Sequence, residues 1–140
     1  YLACLQKYNA TYIAALESLL ISELPFKEKI QKVFEGTAKK VSATDDYEGC
    51  FFFNSSVDSG IHDAAISTLT AAIQLRLEKA FCTAADQARE SKQLPIESDS
   101  VQIAQYLMMI TTGLRAMVKG NASVAEIDHI IHSALKFLPF

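Results

Sequence analysis

The chain has 140 residues, half of them hydrophobic, with few Gly and Pro, which is one domain's worth of sequence able to bury a core of its own. A formal charge of -3 is a poor match for a phosphate backbone, so this piece does not read as a nucleic-acid binder by itself. Cys4, Cys50 and Cys82 lie far apart and form no CxxC pair, which argues against a zinc site or disulfide framework and for a reducing, cytoplasmic setting.

No apolar run is long enough to span a membrane. The opening residues, YLACLQKYNATY, mix polar and apolar positions at helical spacing, unlike a signal peptide. The chain starts at Tyr1 and reads as if it begins inside a helix, so a fragment lacking an N-terminal part is expected. That first helix runs from about Leu2 to Leu20, with Leu2, Leu5, Tyr12, Leu16, Leu19 and Leu20 on one stripe. It breaks at Ser22-Glu23-Leu24-Pro25, and Pro25 suits the first turn of the next helix, where its missing N–H costs nothing. The second helix turns Phe26, Ile30, Val33, Phe34 and Val41 inward. Lys27, Lys29, Lys32, Lys39 and Lys40 are expected on a solvated face.

After a loop at Ser42 to Asp46 comes Tyr47-Glu48-Gly49-Cys50-Phe51-Phe52-Phe53-Asn54. Three consecutive Phe fit either a buried strand or a short buried helix; with no second strand to pair, the helix is preferred. Asp58-Ser59-Gly60 ends it and caps a long fourth helix, about Ile61 to Lys92. Ile66, Leu69, Ile73, Leu77, Ala80, Phe81, Ala84 and Ala88 form the stripe of that helix. Ser98 or Asp99 caps the fifth, which stops at Gly120-Asn121. The sixth opens with the capping box Ser123-Val124-Ala125-Glu126 and ends at Leu138-Pro139. The fold class is all-α, with six helical segments.

Three stretches resemble the C-terminal half of TetR-family transcriptional regulators, in order and at the right spacing. The first is Tyr47-Glu48-Gly49-Cys50-Phe51-Phe52-Phe53-Asn54-Ser55-Ser56. The second is the end of the long helix, Ala88-Arg89-Glu90-Ser91-Lys92-Gln93-Leu94-Pro95. The third is Ile103-Ala104-Gln105-Tyr106-Leu107 through Thr112-Gly113-Leu114-Arg115, then Gly120-Asn121-Ala122-Ser123. The resemblance implies that residues 1–22 are the end of a linker helix from an absent helix-turn-helix domain. Residues 23–140 would then be an effector-binding and dimerisation domain. It further implies a homodimer through a four-helix bundle and a regulator, expected to be a repressor, that meets operator DNA only through the missing N-terminal domain.

The residues themselves support that division. Leu107, Met108, Ile110, Leu114, Met117 and Val118 cover a wide arc, as do Ile127, Ile130, Ile131, Ala134, Leu135 and Leu138. A small monomer cannot hide two broad faces on two terminal helices, so a second copy is expected to cover one. The expected interface residues are Leu107, Met108, Leu114, Ile127, Ile130, Ile131, Ala134 and Leu138. Gly113, costly inside a helix, suits a close approach of a second helix or a ligand.

The resemblance also implies an effector pocket inside the core. Phe34, Phe51, Phe52, Phe81, Tyr106 and Met109 are the expected apolar lining, with Asn54, Thr70 and Gln74 as polar contacts. That supply favours a flat or lipophilic small molecule over a sugar or phosphate. Two other readings stay open on the same fold: a thiol sensor using Cys50, and a helical scaffold that senses nothing. A reactive cysteine needs an activating cation or helix N-terminus, and Cys50 and Cys82 read as buried apolar thiols. Glu126-Ile127-Asp128-His129 is a single Glu-x-x-His where a diiron bundle needs two, and Glu126 is already used as a cap. His129 and His132 are expected at the surface or the dimer edge, and His62 at a helix start. No cofactor, nucleophile–base pair or phosphate loop is indicated, which argues against an enzyme.

Overall fold

A computed structural model describes residues 9–42 and 64–140, together with Ala3, Gln6 and Lys7. Among the described residues the chain is all helix and turn, with no strand. The segment expected as a third helix, with Cys50, Phe51, Phe52 and Asn54, lies outside them, as do Cys4 and His62. A π turn at Asn9–Ile13 leads into α1, Ala14–Leu20. Then follow α2, Phe26–Ser42; α3, Ala64–Glu90; α4, Ser100–Lys119; and α5, Val124–Lys136. None of these helices is long and apolar enough to cross a membrane.

The π turn changes the reading of the first helix. Its i→i+5 bonds insert one extra residue per turn, so neighbouring side chains fall on one face. Tyr12 and Ile13 are both buried, although three- and four-residue spacing picks out only Tyr12.

α2 begins one residue later than expected. The Pro25 carbonyl accepts the bond from Lys29 N at 3.0 Å, so Pro25 stands at the cap and Phe26 opens the helix. Phe26 N, left without an intrahelical acceptor, donates to Gln93 Oε1 at 2.5 Å. Phe26, Ile30, Val33 and Phe34 face inward as their spacing predicts. Lys29 joins them, which corrects its expected place on the solvated face. Its stem is buried and its ammonium donates to the Leu20 carbonyl at 2.9 Å. A cation at a helix C-terminus meets the negative end of the helix dipole, and a long apolar stem tolerates burial.

Caps set the remaining boundaries. α3 ends with Lys92 at φ 64. Gln93 N bonds to Ala88 O at 2.8 Å and Lys92 N to Arg89 O at 3.1 Å, the paired bonds of a Schellman motif. Asp99, not Ser98, caps α4, its side chain accepting from Val101 N and Gln102 N at 3.0 and 3.1 Å. A second Schellman pair closes α4, Ala122 N to Met117 O and Asn121 N to Val118 O, each at 3.0 Å. Asn121, at φ 65, takes the left-handed position there, while Gly120 stays at φ -80. Ser123 Oγ accepts from Glu126 N at 3.1 Å and starts α5.

α4 is the central element and packs against α2, α3 and α5. Ile103, Ala104, Leu107, Thr111 and Leu114 form its inner stripe. They meet Ile30, Val33 and Phe34 of α2, Phe81, Ala84 and Ala85 of α3, and Ile127, Ile131 and Ala134 of α5 in one main core.

Candidate functional site

A second, smaller apolar cluster forms where α1 meets α3. Tyr12, Ile13, Ile66, Ile73 and Leu77 are buried in it, and Leu16, Leu69 and Met108 pack around it. Thr70 lies one turn from both Ile66 and Ile73 on the same face of α3 and is 2% exposed. Its hydroxyl is buried and finds no hydrogen-bond partner among the described residues. A buried hydroxyl normally finds an acceptor, so an orphaned one marks a place where a polar atom is wanted. Outside this cluster, Glu17 and Arg76 hold α1 to α3. Arg76 Nε donates to Glu17 Oε2 at 2.7 Å, and Nη2 donates to the other oxygen, a bidentate clamp. That bond raises the Arg76 pKa further above its ordinary value.

Of the expected effector contacts, Phe34 and Phe81 come together in the main core, fully packed. Thr70 lies beside the second cluster. Tyr106 is half-buried, and its hydroxyl donates to the Ala134 carbonyl at 3.0 Å, tying α4 to α5. Gln74 and Met109 are exposed, Gln74 at the edge of the packed stripe of α3 and Met109, 61% exposed, opposite the packed stripe of α4. A groove of about 220 Å³ between α1 and α2 is lined by Tyr12, Leu16, Leu19, Val33, Gly36 and Thr37. Tyr12 and Leu16 belong to this groove and to the second cluster at once. Another apolar groove, of about 280 Å³, runs between α2 and the α4–α5 corner, over Ala38, Val118, Ala122, Ile127 and Ile131.

The apolar arcs of the last two helices divide. Leu107, Leu114, Ile127, Ile131, Ala134 and Leu138 are buried within the chain itself, and Met108 and Ile130 are half-buried. From Val101 to Met117 the exposed residues of α4 are Val101, Gln102, Gln105, Met109, Thr112, Gly113 and Met117, none of them charged; Lys119, in the last turn, is exposed as well. A Cβ built on Gly113 would meet nothing within 4 Å, so the close approach expected of this glycine is not made by the described residues. His129 and His132 are exposed. Burial pushes the Cys82 thiol above its ordinary pKa, and the charges of Asp86, Asp99 and Glu78 push the same way. Thiolate is therefore scarce at neutral pH, and Cys82 is a poor nucleophile.

Three features were missed in the sequence: the Lys29 bond, the Glu17–Arg76 clamp and the buried Arg115. The first two join residues far apart along the chain or on facing helices. Arg115 could have been found from its place beside Leu114 on the inner stripe.

No curated protein and no solved structure matches this chain. A family model does: residues 27–134 match the tetracyclin repressor-like C-terminal domain. That match covers most of the chain and all of α3 and α4, and the helical order agrees with it. The chain belongs to the tetracyclin repressor-like C-terminal domain family.

Proposed function

We propose that the chain is the effector-sensing and dimerisation part of a ligand-responsive transcriptional repressor, whose DNA-reading helices lie elsewhere in the polypeptide. The family match over residues 27–134 carries this reading. The effector is a flat or lipophilic small molecule held between α1, α2 and α3, where the groove at Tyr12 and Leu16 meets the second cluster. Thr70 supplies its polar contact. α1 carries the signal, because Tyr12 and Ile13 are embedded in the cluster and Glu17 is clamped to Arg76. A ligand that prefers one packing of that cluster shifts α1 with it.

Thr70→Val separates a ligand contact from a structural one. It removes an unsatisfied buried hydroxyl at nearly constant shape, so the empty protein gains on the order of 1 kcal/mol. The same change weakens effector binding. Thermal unfolding with indole, naphthol and a glucose control, on wild type and variant, reads both effects. Loss of stability in the empty variant, or no shift with any apolar compound, would count against the site.

The dimer is proposed through α4 and α5. Its support is the uncharged exposed surface of α4 from Val101 to Met117, with the half-buried Ile130 of α5 beside it.

A further inference from the structure

Where α1 ends, α2 begins and α3 ends, a groove of about 310 Å³ is lined by Lys29, Glu23, Gln87, Ser91 and Gln93. Its floor is Ala84 and Ala88, small residues on one face of α3 that leave room above them. Lys29 is 7% exposed, yet its ammonium makes one hydrogen bond, to the Leu20 carbonyl. Among the described residues no carboxylate lies within ion-pair distance of it. An ammonium has three donors, and a helix C-terminus supplies only part of a negative charge. Buried charges are ordinarily paired, and the described residues supply this one with a single acceptor and no counter-charge.

The wall facing Lys29 is already ordered. Gln93 Nε2 donates to Ser91 Oγ at 2.8 Å, and Ser91 Oγ donates to the Gln87 carbonyl at 2.9 Å. Gln93 Oε1 accepts from Phe26 N, which fixes the amide against the start of α2. Glu23 is exposed on the same groove and presents the opposite charge.

We propose that this groove is a second ligand site, for an amino-acid-sized zwitterion whose carboxylate meets the Lys29 ammonium and whose amine faces Glu23. The site shares no lining residue with the apolar groove at Tyr12 and Leu16, so it stands whether or not that groove takes an effector.

Proton–nitrogen correlation NMR on the whole 140-residue chain tests it, with L-alanine, acetate, inorganic phosphate and sodium chloride at matched ionic strength as titrants. Saturable shifts of the Ser22, Ser91 and Gln93 amides are expected with L-alanine, weaker ones with acetate. Lys29→Gln removes a charge-assisted hydrogen bond and is expected to lower the affinity about ten- to hundredfold. Gln87→Glu, at an exposed rim position, keeps the fold and the lysine but places a second negative charge at the mouth. It is expected to weaken acetate binding even if the Lys29 variant does not fold. The proposal is overturned if chloride reproduces the shifts, if phosphate binds more tightly than L-alanine, if the shifts do not saturate, or if Lys29→Gln or Gln87→Glu leaves the affinity unchanged.

Discussion

Tyr106 shows what a single side chain does here. Its hydroxyl is a polar link between α4 and α5, and burial raises its pKa above the ordinary tyrosine value. The folded state therefore favours the neutral phenol. That contribution is fully present below the unfolded-state pKa, about 10, and is lost as pH climbs through the raised folded value. Tyr106→Phe is expected to cost about 1 kcal/mol at neutral pH and to flatten the alkaline fall in stability. Denaturant titrations at about pH 8 and about pH 11 check both, the two values bracketing the tyrosine range. Equal alkaline sensitivity in the variant would assign the effect elsewhere. Cys82 should alkylate much more slowly in native than in unfolded protein, since burial and three acidic neighbours suppress its thiolate. Peptide mapping after a short iodoacetamide pulse reads that rate. The low reactivity of Cys82 agrees with its reading in the sequence as a buried apolar thiol, whereas the Tyr106 bond, which joins two helices, is not visible there.

The helices carry their boundaries in local chemistry, and one boundary is strained. Lys92 adopts the left-handed conformation at the end of α3, where a side chain clashes with the backbone. Lys92→Gly is expected to stabilise the chain by about 1 kcal/mol, read as a rise in the unfolding midpoint. Asn121 tolerates the same conformation better, so Asn121→Gly should gain less. A Lys92→Gly variant no more stable than wild type would mean that another interaction holds the turn. The stripes of α2, α3 and α4 were legible because three- and four-residue spacing is a property of the helix alone. The π turn was not, because nothing local in Asn9–Ile13 announces i→i+5 bonding, and it moved Ile13 into the interior.

For the whole molecule the central question is what covers α4. Met109→Glu places a charge in the middle of an uncharged exposed surface without touching the core of the chain. Light scattering should then show monomers, with the unfolding midpoint of the isolated chain little changed. A Met109→Glu protein that remains a dimer would move the interface to another face. Gly113→Ala sharpens the test. No described residue approaches the position, so the substitution should add about 1 kcal/mol to the stability of the Met109→Glu monomer through helix propensity. In the wild-type background it should weaken association, if a second helix crosses close to Gly113. A gain of equal size in both backgrounds would show that no helix crosses there.

The sequence by itself determined the all-α class, the edges of α2 to α5 to within a few residues, the Ser123 cap, most of the inward stripe and the family. These depend on hydrophobic period, capping side chains and ordered motifs, all of which are local along the chain. Only the tertiary structure decided how the apolar surface was divided. Leu107, Leu114, Ile127 and Ile131 were expected at the interface, and the fold buries them in the main cluster of the chain itself. Met109 read as pocket lining and lies on the surface, because α2, α3 and α5 all pack on the other side of α4. Lys29 read as solvated and is buried, because the carbonyl that receives it belongs to the end of a different helix. Periodicity specifies which residues share a face of one helix; which face is covered depends on neighbours that the local pattern does not encode.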